Sequence, residues 1–223
     1  MTMKYIILFF LSVLNLISYA QIPEGFVYVN EVVPNIAFEL RYCTNNNFVG
    51  QPIDGYFEAT CILSDQAADA LKNAQQELIQ QGLSLKIFDA YRPQRAVDHF
   101  VQWAKVLNDT IMKRQFYPEV DKRNLFKDGY IASRSRHSSG STVDLTIIRI
   151  DSGEELDMGT PFDYFGPASG IEYRQLSETQ RMNRMLLHNV MIKHGFRHYP
   201  QEWWHFTLKN EPYKNQYFDF PVE

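Results

Sequence analysis

Apolar residues recur at helical spacing in three stretches of the chain. In "SDQAADALKNAQQELIQQG", Ala68, Leu71, Leu78 and Ile79 fall on one stripe, with Ser64 placed to cap the start and Gly82 to end the helix. A second stripe runs through Met182, Met185, Leu186, Val190 and His194 of "ETQRMNRMLLHNVMIKHG" and stops at Gly195. A third helix is predicted directly after "YRP", where "QRAVDHFVQWAKVL" spaces Val97, Phe100, Val101 and Ala104. Alternation and β-branched or aromatic residues predict strands at "LSLKIFDA", "STVDLTIIRI" and "WWHFTL", with shorter ones at "FVYVN" and "AFELRY". Helices and strands do not alternate in a βαβ rhythm. The expected fold is therefore α+β, one small domain with helices packed on a mostly antiparallel sheet.

One stretch departs from these patterns. After Lys4 the chain runs "YIILFFLSVLNLIS" and then "SYA", with small residues Ser18 and Ala20 where a signal peptidase needs them. Residues 1–20 are read as a secretory signal and residues 21–223 as one continuous domain, which directs the protein to a secreted or periplasmic location. The alternative is an uncleaved N-terminal anchor, for which the apolar run is short. Loss of Lys4 with that segment takes the formal charge from −4 to −5. Such a balance offers no basic face for nucleic acid, and no stable membrane insertion is expected once the signal is gone. Cys43 and Cys61 leave two readings open, a disulfide or two free thiols.

The chemistry concentrates in three places. In "RHSSGSTVD", strand parity puts Thr142 and Asp144 on one face and Val143 and Leu145 on the other, in the core. A tight turn at Gly140 lets His137 fold back to meet Asp144. In "QEWWHFTL", the same parity groups Trp203, His205 and Thr207, and Glu202 falls on the entry to the strand, aimed back toward His205. Two histidines and one aspartate are what a catalytic zinc ion uses, because three protein ligands leave one position open. His137, Asp144 and His205 are the candidate ligands, and Glu202 the candidate base for a water whose pKa the metal lowers. In "FDAYRPQ", Arg92 precedes a proline at a strand-to-helix corner, where its guanidinium would hold a developing oxyanion or else form a fork on Asp89 or a carbonyl. Taken singly, each pattern also occurs in ordinary cores; their combination is specific.

Together the motifs "LRYCTNNNFVG", "IFDAYRPQRAVDHF", "HSSGSTVDLT", "LDMGTPFD" and "EWWHFTL" resemble the zinc D-alanyl-D-alanine dipeptidases, the family that includes the vancomycin-resistance D,D-dipeptidases. The resemblance implies a small α+β peptidase domain that takes one zinc ion and splits the small dipeptide D-Ala-D-Ala. It implies zinc ligation by His137, Asp144 and His205, proton transfer by Glu202 and transition-state stabilisation by Arg92. It further implies that Ser135, Asp157 and Asp163 shape the substrate pocket. The chain departs from the family pattern at Arg136, where glycine is common, at Ser139, where arginine is common, and at Thr142, where alanine is frequent. Two other functions fit the same motifs: a D,D-carboxypeptidase or endopeptidase on peptidoglycan stems, and a catalytically silent zinc- or peptidoglycan-binding module. His99, His188 and His194 are read as packing or helix-end residues, and His198, close in sequence to "EWWH", as an alternative ligand disfavoured because three ligands already fill a catalytic zinc shell.

Overall fold

In a computed structural model, which describes residues 22–223, the chain runs through twelve regular elements. They are β1 (Phe26–Tyr28), α1 (Val29–Val32), β2 (Ala37–Phe38), β3 (Ile62–Ser64), α2 (Asp65–Ile79), β4 (Leu83–Asp89), α3 (Gln94–Lys105), α4 (Lys113–Phe116), β5 (Thr142–Arg149), α5 (Glu178–Lys193), β6 (Phe196–His198) and β7 (His205–Leu208). The expected signal segment lies outside the described residues.

Five strands form one sheet in the order β2-β4-β5-β7-β6, and β1 pairs with β3 in a separate two-stranded piece. Only β2 and β4 run parallel in the large sheet; every other pair is antiparallel. The α+β expectation is met. β5 is the middle strand and is buried on both faces, Val143, Leu145 and Ile147 on one and Thr142, Asp144 and Thr146 on the other. A strand covered on both sides must put any polar group to use, since an unpaired one is costly there.

α2 holds the predicted face through Ala68, Leu71 and Leu78, to which Ala67 and Ala74 add, and Gly82 closes the helix in the left-handed region at φ 72. Ile79 belongs outside that face and is 41% exposed. Ser64 stands at the N-cap position, yet its hydroxyl makes no capping bond. The stripe expected of α5 is rotated. Met182 and Met185 face solvent, and the buried face is Arg184, Leu187, Val190 and Met191. An arginine on the core side hid that face from the hydrophobic pattern. Its guanidinium donates to the carbonyls of Met158 at 2.7 Å, Gly170 at 2.7 Å and Ala168 at 2.9 Å, so a charged side chain organises loop backbone inside the core.

The strand predicted at "WWHFTL" begins only at His205, and the two tryptophans precede it in a turn. Parity therefore does not govern Trp203, whose ring nitrogen donates to Thr160 Oγ1 at 2.9 Å. "AFELRY" contributes two strand residues. Cys43 is half-buried, Cys61 is buried, and both are free thiols.

Candidate active site

Sheet register assembles the site. Asp144 on β5 stands opposite His205 on β7, and on its other side opposite Asp89 at the end of β4, after a register shift between Ile87 and Asp89. Asp89, Asp144 and His205 thus form a row across three adjacent strands. His137 reaches the row from a 3-10 turn, Arg136–Ser139, which Ser135 caps by accepting the His137 N–H at 3.3 Å. Gly140 ends the turn at φ 71, and a Cβ there would lie 2.3 Å from the Phe26 ring, so both conformation and space require glycine.

His137 Nδ1 lies 2.7 Å from the Ala90 carbonyl, which only accepts; the proton therefore sits on Nδ1 and the Nε2 lone pair is free to point inward. Nε2 lies 3.3 Å from Asp144 Oδ2 and 3.4 Å from His205 Nδ1, while His205 Nδ1 is 3.1 Å from Asp144 Oδ1. One donor atom from each of the three residues falls within 4.8 Å of the others. Asp144 Oδ1 is sealed from solvent and has no hydrogen-bond partner among the described residues. Two imidazoles and a carboxylate converging on an otherwise orphaned oxygen fit a divalent metal with one open position.

Arg92 supports this cluster from the corner after β4. Its Nε and Nη2 donate to Asp89 Oδ2 at 3.0 and 2.9 Å, and Nη2 lies 3.6 Å from Asp144 Oδ2. The fork on Asp89 and the place beside the cluster hold together: they are one arrangement. Tyr56 donates to the other Asp89 oxygen at 2.7 Å, and Arg92 lies over the rings of Tyr42 and Phe100 at 5.2 Å each.

Two further carboxyls enter the same space. Glu202 sits in the turn before β7, bracketed by the bonds Glu202 N–H to Tyr199 carbonyl and His205 N–H to Glu202 carbonyl, with Oε2 3.4 Å from His205 Nδ1. Burial pushes its carboxyl up to about 7, with the Asp144 charge adding and His205 and Arg92 opposing. Asp163, in the left-handed region at φ 63, accepts the Tyr42 hydroxyl at 3.0 Å; burial, and then the Asp144 charge, raise it well above the usual carboxylate range. Burial would also raise Asp144, but His137 and His205 beside it hold it far below its ordinary value.

Of the residues singled out in the sequence, His137, Asp144, His205, Glu202, Arg92, Ser135 and Asp163 line one cavity of about 280 Å³. Asp157 does not. Its carboxylate accepts the Gly159 N–H at 2.8 Å and Gln180 Nε2 at 2.9 Å, which ties the loop to the first turn of α5 and away from the cavity. Sequence reasoning overlooked Tyr42 and Tyr56; their hydroxyls hold Asp163 and Asp89, and "LRYC" was the one available signal for Tyr42. His198 is packed against Phe206 and His188, and His194 pairs with Glu77 at 2.6 Å, both apart from the cluster. Thr142 forms a 2.8 Å hydroxyl pair with Thr207 across the strands, which accommodates its departure from alanine.

Residues 23–223 match the peptidase M15 family model described as D-ala-D-ala dipeptidase. A D-alanyl-D-alanine dipeptidase of Enterococcus faecium is 39% identical over 199 residues, covering 89% of this chain and 98% of its own length. One of Streptomyces coelicolor is 40% identical over 197 residues, covering 88% and 98%. A solved chain described as the LdcB LD-carboxypeptidase aligns over 85% of this chain and 70% of its own, at 18% identity and a TM-score of 0.41, too slight a likeness to bear on the site. With nearly its whole described length inside the family, the chain belongs to the D-Ala-D-Ala dipeptidases of the M15 peptidases and is a metallopeptidase.

Proposed function

We propose that this protein hydrolyses the free dipeptide D-Ala-D-Ala to two D-alanines, using one zinc ion held by His137 Nε2, Asp144 and His205 Nδ1. When bound there, zinc supplies Lewis acidity, lowering the pKa of a water and polarising the scissile carbonyl. Glu202 takes a proton from the attacking water onto its carboxylate and delivers it to the departing amine. A carboxyl raised by burial suits both transfers. The observation that carries the reading is geometric: His137, Asp144 and His205 each offer a donor atom within 4.8 Å of the others, with Glu202 Oε2 3.4 Å from His205 Nδ1. The Arg92 guanidinium, kept in place by Asp89, stabilises the oxyanion as the carbonyl becomes tetrahedral.

The two ends of the dipeptide need opposite charges. Asp163 with Tyr42 receives the ammonium; Ser135 and Arg134, which lies over the Tyr217 ring at 5.0 Å, face the carboxylate. An ammonium restores the ionised state of Asp163 that burial disfavours, whereas an acylated amine leaves a buried acid without its partner. This favours the free dipeptide over stem peptides, and the presence of Glu202 beside the ligand set argues against a silent binding module. Residues 1–20 act as an export signal on this reading, and the enzyme works outside the cytoplasm. Amine release from D-Ala-D-Ala, compared with N-acetyl-D-Ala-D-Ala and L-Ala-L-Ala, tests the assignment. Turnover of the acetylated substrate at the rate of the free one would overturn it.

A further inference from the structure

A second ionic cluster stands behind the His137 turn, and the reaction does not use it. Glu211 follows β7, and its side chain is fully buried, at 0% exposure. Its Oε1 accepts Arg197 Nη2 at 2.6 Å, from β6, and its Oε2 lies 3.0 Å from the Ser139 hydroxyl. Arg136 Nη1 approaches Oε1 at 3.7 Å and donates to Asn215 Oδ1 at 3.3 Å. Ser139 Oγ also lies 2.8 Å from the Arg136 carbonyl, so its single proton is shared between that carbonyl and Glu211. One carboxylate thereby joins three segments: β6, the stretch after β7 and both ends of the turn that carries His137. Arg136 and Ser139 are two of the three positions where the sequence departs from the family pattern. Here the guanidinium that meets Glu211 at close range comes from Arg197.

A fully buried carboxylate is costly unless paired, and loss of one partner leaves the other uncompensated. We infer that Glu211, with Arg197, is a positioning residue that sets the aim of His137 Nε2 by fixing the backbone of residues 136–139. The ring is already held at Nδ1 by the Ala90 carbonyl, so the direction of Nε2 follows the backbone of that turn. This inference rests on the reading of His137 as a ligand.

The test measures zinc affinity by competition with a chromophoric chelator, the visible spectrum of the cobalt-loaded protein, and kcat and KM at saturating metal. H137A must first lose metal; if it binds zinc as the wild type does, the ligand reading itself fails. Given that loss, E211Q is expected to bind zinc about 10- to 100-fold more weakly, the range typical of residues that orient metal ligands. Its cobalt spectrum shifts and its kcat falls with little change in KM. R197M, which truncates a side chain 43% exposed, is expected to do the same more mildly, and R197K to recover most of the affinity. E211Q with zinc affinity within twofold of wild type and an unchanged cobalt spectrum would overturn the inference. Should E211Q fail to fold, R197M decides by the same two measurements.

Discussion

Replacing Glu202 by glutamine removes a base and a charge while keeping the volume, and the structure sets two magnitudes for it. The first is kinetic. A positioned general base contributes roughly 10²- to 10⁴-fold, about 2.7 to 5.5 kcal/mol at 1.36 kcal/mol per tenfold. E202Q should lose kcat by that factor while binding zinc normally, because Glu202 is outside the donor set. The second is thermodynamic and has the opposite sign. The carboxyl stands at about 7 in the folded chain against an ordinary 4.5. A buried acid whose pKa is raised costs the fold nothing below pH 4.5. The cost grows between pH 4.5 and about 7 and is complete above that. At 1.36 kcal/mol per pH unit, it reaches about 3 kcal/mol in the metal-free protein. Metal-free E202Q should therefore melt about 6 to 12 °C above metal-free wild type at pH 8, and level with it near pH 4. Calorimetry across that pH range and amine release at saturating zinc are the two measurements. A variant with kcat within tenfold of wild type would remove Glu202 from the proton transfers. One that melts below wild type at pH 8 would refute the burial argument.

Three other outcomes follow from the same geometry and one from the N-terminal sequence. R92K should lower kcat far more than it raises KM, and R92A should cost about 3 to 5 kcal/mol of stability in denaturant titration, because Asp89 is left buried without its fork. D163N should raise KM for D-Ala-D-Ala, and steady-state kinetics should show the wild-type KM improving as pH rises through the elevated pKa of Asp163, with that dependence lost in the variant. Removal of metal by a chelator should abolish turnover and lower Tm, and zinc at about 100 times its dissociation constant should restore about 2.7 kcal/mol. Mass spectrometry of exported protein should find Gln21 at the N-terminus; a mature chain retaining residues 1–20 would favour the anchor.

The parts of this fold that could be read from the sequence obey local rules. Strand parity found Asp144 because β5 is a regular, fully covered strand, and the left-handed glycine found the turn because Gly140 alone fits against Phe26. The α5 face was misread because its first member is Arg184, whose burial depends on three carbonyls of the loop between β5 and α5. Asp157 and Asp163 occur in the same eight-residue motif, yet one binds its own loop and the other enters the cavity. That choice is made by Gln180 and Tyr42, remote in sequence from both. The row Asp89, Asp144, His205 depends on a register shift in β4 that no pattern of side chains announces.

That row also explains why the site has the substrate preference proposed for it. Asp89, Asp144, Asp163 and Glu202 bring four carboxyls into one small volume, against the single largely buried guanidinium of Arg92. With all of them ionised and both histidines neutral, three negative charges are in excess. Burial is the main force on Glu202 and Asp163 and drives both toward their neutral forms, with the Asp144 charge adding, whereas His137 and His205 beside Asp144 hold it ionised. A divalent cation beside Asp144 would offset two of the three charges and an ammonium beside Asp163 the last, the substrate carboxylate being answered separately by Arg134. On the proposed reading, the dipeptide with a free amine completes this balance. A stem peptide, whose amine is already an amide, brings no cation to Asp163 and would leave that buried acid protonated, so the carboxyl that receives the ammonium would also select the short substrate.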